Sequence, residues 1–149
     1  MYKHILIPTD GSATAAKAVE AGIEFAREAK AKAKVTLFTA VPEYQPPGEG
    51  EILSRLVVSL DEHERRSREK AQKAVASGVE RARAAGVDVD TDFAQSDRPY
   101  EAIVASAKKM GCDAIFMSSH GRSGLARLWH GSQTADVITH SDIPTMVYR

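Results

Sequence analysis

The alternation of short apolar runs with segments of helical spacing constrains the fold of this chain most strongly. Five runs have the length and apolar character of buried strands: residues 5–7, 35–41, 87–94, 112–118 and 143–148. Four segments between them carry helical spacing or helix start and stop signals: residues 12–31, 51–85, 97–111 and 131–140. This alternation predicts an α/β fold, a single open, doubly wound, five-stranded parallel sheet with helices on both faces. The length of 149 residues suits one domain over residues 1–149.

The longest helical segment differs along its length. Before it, residues 42–50 contain several Pro and Gly residues and lose all periodicity, which indicates a loop. Residues 61–73 are strongly charged, as is typical of a solvated helix face. The inner face is predicted to consist of apolar residues: Leu53, Val57, Leu60, Ala71, Val75, Val79 and Ala82.

The composition argues against several classes of protein. Twenty Lys and Arg balance twenty Asp and Glu, so the basic excess typical of nucleic-acid binding is missing and no nucleic-acid partner is expected. Cys112 is the single cysteine; it excludes an intramolecular disulfide, fits a reducing compartment and is interpreted as a small core residue. The chain begins without a secretory signal and has no run of about eighteen apolar residues, so we expect a cytoplasmic protein with no membrane partner.

Two small-residue turns follow predicted strands, at residues 8–11 and 118–121. Ligands of open α/β sheets bind beyond the carboxyl ends of the strands, where the strand order reverses. Nine residues separate Gly121 from Gly131, and Ser132 then opens a helix. Glycine N–H groups and a helix N-terminus together form a phosphate cradle, to which Arg122 or Arg127 could add bidentate contacts. Spacing alone equally allows a simple helix cap and a simple strand exit.

Three blocks of sequence resemble the universal stress protein family. Residues 118–125 with Gly131 and Ser132 resemble its C-terminal signature, residues 2–12 its first strand and turn, and residues 141–147 its last strand. The resemblance covers the whole chain. It implies a fold like that of the adenine nucleotide alpha hydrolases, with the final strand at the sheet edge.

The nucleotide-binding branch of that family carries a glycine, two residues, a glycine, nine residues, and then a glycine with Ser or Thr. The second and third glycines correspond to Gly121 and Gly131, whereas Ser118 stands where the first glycine is expected. The resemblance implies that ATP binds with Mg²⁺ carried on its phosphates. It further implies that Asp10 contacts the ribose and that the backbone near Ala40 holds the adenine edge. The other residues of the implied set are Pro8, Thr9, His120, Arg122, Ser123 and Ser132.

Asp10 has a second interpretation, as the N-cap of the first helix, a role that Ser12 could also fill. A cap and a ribose contact can coexist in one residue.

No motif of a known enzyme class is found. The P-loop pattern, the dinucleotide-binding glycine pattern and the Gly-x-Ser-x-Gly elbow are absent, and the five histidines lack metal-ligand spacing. A dedicated enzyme is therefore not expected, and at most slow ATP hydrolysis is. Two alternatives stay open: an ATP-binding dimeric stress-response module, and a stress protein that dimerises as a scaffold for a protein partner without nucleotide. Both predict a homodimer through the C-terminal strand, residues 143–149.

Overall fold

The computed structural model describes residues 1–29, 32–44, 60–119 and 131–149. Helices and strands alternate along the chain as the sequence predicts. In chain order the elements are β1 (His4–Pro8), α1 (Ala13–Glu28), β2 (Lys34–Val41), α2 (Leu60–Ala84), β3 (Val89–Gln95), α3 (Pro99–Met110), β4 (Ala114–Ser118), α4 (Gly131–His140) and β5 (Thr145–Tyr148).

All five strands of the described sheet are parallel, in the order β3-β2-β1-β4-β5. Parallel strands need crossover connections, and the helices supply them. The predicted fold class is therefore confirmed, as is the place of the final strand at the sheet edge.

Each face of the sheet has its own hydrophobic core. Alternate side chains of a strand point to opposite faces, so Ile5 and Ile7 pack with α1 and α2, whereas Leu6 packs with α3 and α4. Cys112 is buried in the second core, as predicted, and burial raises the pKa of its thiol to about 11. That thiol stays protonated at neutral pH.

The inner face of α2 includes two residues that apolar patterning misses. The buried positions of the helix are spaced by three or four residues: Ser67, Ala71, Val75, Gly78 and Ala82. At Gly78 a Cβ would lie 2.7 Å from Leu37 Cδ1, so glycine lets the helix approach the sheet closely. The predicted members Leu53 and Val57 lie outside the described residues. The charged run is largely exposed, as expected, and it is laced with ion pairs such as Arg65–Glu69.

Several predicted boundaries are wrong by two or three residues. β4 begins at Ala114, and the Asp113 carboxylate just before it accepts hydrogen bonds from the Lys3 and His4 N–H groups at the start of β1. Val87 is buried, but β3 begins only at Val89. α3 ends as predicted at Gly111, whose φ of 70° is the left-handed cap conformation that glycine adopts readily. None of the described helices combines the length and the apolar character needed to cross a membrane.

Candidate functional site

The carboxyl ends of β1 and β4 mark the point at which the strand order reverses. α1 joins β1 to β2 on one side, whereas β4 lies on the other side of β1. At such a reversal the connections leave neighbouring strands toward opposite faces of the sheet and open a crevice. The turn after β1 and the end of β4 border this crevice, so both predicted small-residue turns begin at it.

Hydrogen bonds within the turn after β1 fix the position of Asp10. Thr9 is buried, and its N–H donates to the Phe38 carbonyl oxygen of β2 at 2.8 Å. The Thr9 hydroxyl oxygen accepts from the Gly11 N–H at 3.1 Å, and Asp10 Oδ1 accepts from the Ser12 N–H at 2.9 Å. Within the described part of the chain no donor engages Asp10 Oδ2. That oxygen can therefore accept a hydrogen bond from a ligand hydroxyl.

Ser12, and not Asp10, is the N-cap of α1. Its Oγ accepts from the Ala15 N–H at 3.1 Å, an arrangement worth about 0.5–2 kcal/mol to a helix. The interpretation of Asp10 as the cap is therefore wrong, since its carboxylate closes a turn with Ser12 instead. Asp10 is thus available for another role.

Gly11 allows α2 to pass directly over this turn. Its φ is 78°, and an added Cβ would lie 3.0 Å from the Cα of Ala74 in α2. A side chain here would meet both backbone strain and the backbone of a packed helix. The close approach makes α2 one wall of the space above the turn.

β2 extends beyond β1 and leaves backbone groups of Ala40 facing the turn. Pairing of β1 with β2 stops at Pro8 and Phe38, whereas pairing with β3 continues to Val41. The two backbone groups of a residue point to the same side of a strand, and the side alternates from residue to residue. Because the Phe38 carbonyl faces β1, the N–H and C=O of Ala40 face the same way, beyond the end of β1. This places one donor and one acceptor side by side.

A cavity of about 270 Å³ brings these groups together. It is lined by Asp10, Gly11, Thr39, Ala40, Val41, Lys70, Lys73 and Ala74. Its volume is just below the roughly 300–1,000 Å³ of pockets that bury a whole small ligand. The cavity can therefore hold a ligand about the size of a nucleoside, and the remainder of a longer ligand would extend beyond it.

The first turn of α4 forms the other end of the crevice. Thr134 is buried, and its hydroxyl donates to the Ser118 carbonyl oxygen at 2.9 Å. Gln133 Oε1 accepts from the Tyr100 N–H at 2.9 Å, which ties α4 to the start of α3. The first N–H groups of a helix lack intrahelical partners and carry partial positive charge. The start of α4 at Gly131 thus offers donors at the carboxyl edge of the sheet.

A model of the universal stress protein family matches residues 1–149, the whole chain. The chain belongs to that family.

Relatives and solved structures agree along the full length. Universal stress protein MJ0531 of Methanocaldococcus jannaschii is 31% identical over 152 residues, which cover 100% of this chain and 83% of the relative. The solved structure of protein MJ0577 from the same organism matches with a TM-score of 0.71 and 31% identity, covering 99% of this chain and 95% of that one. A universal stress protein solved in complex with cAMP matches with a TM-score of 0.66 and 26% identity, covering 99% and 97%.

The glycine signature of the family lies only partly within the described residues. Gly131 and Ser132 begin α4 as predicted, with only their backbone described. Ser118 ends β4 half-buried, where its backbone supports both β5 pairing and the Thr134 bond. It also lines a cavity of about 710 Å³ between α1 and β5, together with Ala13, Thr14, Lys17, Ser119, Tyr148 and Arg149. The predicted site residues His120, Gly121, Arg122 and Ser123 lie outside the described residues.

Two lysines of α2 line the cavity although the sequence interpretation did not include them. Lys70 and Lys73 belong to the charged run that is typical of a solvated face. The charge pattern of the sequence does not distinguish them from the other charged residues of that run. Across the described ranges no cluster of three His, Cys, Asp or Glu side chains could hold a metal ion.

Proposed function

We propose that this universal stress protein binds ATP across the carboxyl ends of β2, β1 and β4. The observation that carries the proposal is one cavity that contains both the Asp10 carboxylate and the end of β2 at Ala40, with the N-terminus of α4 at the same edge of the sheet. Adenosine would occupy the cavity, and the phosphates would extend toward α4.

The backbone of Ala40 accounts for a preference for adenine. The Watson–Crick edge of adenine offers an amino donor beside a ring-nitrogen acceptor, which complements a carbonyl beside an N–H. Guanine presents a carbonyl oxygen and a protonated ring nitrogen there, so the donors and acceptors would clash. We therefore expect GTP to bind less tightly than ATP.

Asp10 and the start of α4 account for the ribose and the phosphates. Asp10 Oδ2 accepts from a ribose hydroxyl, while Oδ1 stays bonded to the turn. The first N–H groups of α4 and the hydroxyl of Ser132 would suit phosphate oxygens, and residues 121–123 would complete the cradle. Mg²⁺ would bind to the phosphates and keep most of its waters, which requires no carboxylate cluster from the protein.

The structural relative solved with cAMP supports this assignment, since its ligand is an adenine nucleotide. It is 26% identical to this chain and shares its fold over nearly the full length of both. An adenine nucleotide is therefore a better candidate than other small ligands.

Exposed apolar side chains support a homodimer through β5. Apart from Met1, the large hydrophobic residues that the described ranges leave exposed include two residues of this edge strand, Val147 and Tyr148, besides Phe25 and Ile138. Phe25 approaches β5 through an aromatic row, with ring centroids 6.0 Å from Phe116 and then 6.4 Å from there to Tyr148. Antiparallel pairing with β5 of a second copy would satisfy the edge and bury these groups. The protein would act as a dimeric regulatory module of a cytoplasmic stress response, not as an enzyme with rapid turnover.

Thermal unfolding with and without ATP and Mg²⁺ tests the nucleotide assignment, because a ligand of the folded state raises Tm. We expect a rise at millimolar ATP, a smaller rise with GTP, and a reduced rise with ATP in Asp10→Ala. No rise with ATP would favour the scaffold without nucleotide.

Sedimentation of the parent and of Val147→Asp tests the dimer: the parent should have twice the 16.1 kDa chain mass, and the variant should be monomeric. A monomeric parent would contradict the interface.

A further inference from the structure

We propose that Lys70 and Lys73 form a second phosphate subsite, at the ribose end of the crevice. On this proposal the preferred ligand is an adenine nucleotide that carries a phosphate on a ribose hydroxyl as well as at the 5′ position. The inference rests on the proposed function and identifies the ligand class of the same site.

The side chains that line the cavity carry a net positive charge. Two lysines and one aspartate line it, which gives a net charge of +1. Some other cations of α2 have carboxylate partners: Arg65 pairs with Glu62 and Glu69, and Arg81 pairs with Glu20. Arg68 and Arg83 have no ion pair within the described ranges, but neither lines this cavity. Within the described ranges Lys70 and Lys73 have no such partner, and both are exposed. These two ammonium groups are thus free to bind an anion in the cavity.

The topology separates these lysines from the site proposed for the 5′-phosphates. α2 packs on the face of the sheet that carries α1, whereas α4 packs on the opposite face. The end of β2 and the end of β4 are two strand spacings apart, about 10 Å. Phosphates that extend from the 5′ carbon toward α4 therefore lead away from Lys70 and Lys73.

Asp10 places the ribose between the two cationic ends. A ribose hydroxyl that donates to Asp10 Oδ2 lies inside the cavity with the lysines. The neighbouring hydroxyl then faces the same lining, and a phosphate on it can accept from both ammonium groups. A plain 5′-nucleotide has no negative charge at that position and leaves both lysines unused.

Calorimetry that compares AMP with adenosine 3′,5′-bisphosphate and adenosine 2′,5′-bisphosphate tests this subsite. Two exposed charge-assisted contacts should make at least one bisphosphate bind about five- to tenfold more tightly than AMP at low salt. The ratio should fall toward one as the salt concentration rises, because exposed ion pairs are screened. In the double variant Lys70→Gln with Lys73→Gln, the ratio should fall to about one even at low salt.

A matched control removes the same charge elsewhere. Lys3 and Lys108 are exposed near the amino edge of the sheet, so Lys3→Gln with Lys108→Gln should keep the ratio of the parent. A parent that binds both bisphosphates no more tightly than AMP would overturn the inference, and so would a preference that survives in the Lys70 and Lys73 variant. AMP binding without a preference leaves the proposed function intact. A protein that binds none of the three ligands contradicts the proposed function and the subsite together.

Discussion

The two ends of the crevice are held in place by different kinds of contact. At the β1 end, the turn is fixed mainly by hydrogen bonds between residues two or three apart, from Thr9 to Ala15. At the α4 end, position depends on contacts between distant segments: Thr134 to Ser118, 16 residues apart, and Gln133 to Tyr100, 33 residues apart. The turn that carries Asp10 is therefore encoded largely by local contacts, whereas the position of the start of α4 depends on contacts between distant segments.

Gly131→Val should produce the largest effect, at the α4 end. The added side chain would stand where phosphate approaches the helix N-terminus, and we expect ATP affinity to fall more than about a hundredfold. Adenosine, which has no phosphate, should bind as it does to the parent. Ala135→Val places a valine at an exposed position of the same helix and should leave ATP affinity unchanged. Calorimetry measures all three, and unaltered ATP binding to Gly131→Val would remove α4 from the site.

Gly11→Ala should produce the next largest effect, at the β1 end. Gly11 and Gly86 both have positive φ, of 78° and 70°, but only Gly11 has a neighbour within 4 Å of an added Cβ. Gly86→Ala should cost about 1 kcal/mol of unfolding free energy from backbone strain alone. Gly11→Ala should cost about 2–3 kcal/mol, since the turn must also move away from Ala74. Equal costs in urea unfolding would show that α2 does not press on the turn.

Thr134→Val should affect the binding of ATP and of adenosine differently, because only ATP reaches the α4 end of the crevice. Loss of the hydroxyl leaves the Ser118 carbonyl without this donor, at a cost of about 1 kcal/mol to the unfolding free energy. ATP affinity should fall severalfold while adenosine affinity is kept. Thr139→Val removes an exposed hydroxyl that bonds to Ala135 within α4, and it should change stability by less than about 0.5 kcal/mol. If both variants behave alike, the Thr134 bond does not position α4.

The sequence predicts the local end of the crevice better than the distant one. An apolar strand followed by Pro8-Thr9-Asp10-Gly11 is enough to predict a turn at the carboxyl edge of the sheet. The sequence leaves both Asp10 and Ser12 as possible N-caps of α1, and the hydrogen bonds of the structure identify Ser12 as the cap. The partners of Thr134 and Gln133 could not be predicted, because no local pattern tells which distant segments meet. The resemblance supplied the edge position of the final strand, which the alternation of elements leaves open.

The contribution of α2 to the candidate site is the main feature that the sequence did not predict. Charge patterning treats residues 61–73 as one solvated face, but a helix that packs on a sheet has flanks as well as an outer face. The buried positions Ser67 and Gly78 are polar or small, so hydrophobicity alone does not define the inner stripe. Because the sequence does not define that stripe, it does not determine the positions of Lys70 and Lys73 relative to the sheet.

His4, at the amino edge of the sheet and away from both ends of the crevice, should produce the smallest effect of these predictions. Burial and the charge of Lys34 lower the pKa of His4, against the opposing influence of Asp90, Asp113 and Asp88. As pH falls, His4 of the unfolded chain therefore binds a proton near its ordinary pKa of 6.5, whereas His4 of the folded chain binds it only at a lower pH. Stability should therefore be full above that pH and decline as pH falls below it. Unfolding in urea at about pH 8 and about pH 5.5 should show a smaller decline in His4→Gln. An equal decline in both proteins would assign the pH dependence to other groups.

One NMR titration tests the central claim most directly, that a single nucleotide spans both ends. With ATP and Mg²⁺, the backbone amide signals of Asp10, Ala40 and the first turn of α4 should shift together and report the same micromolar-range Kd. With adenosine, only the signals of Asp10 and Ala40 should shift. Saturating ATP that shifts the amides at one end only, or at neither, would contradict the account.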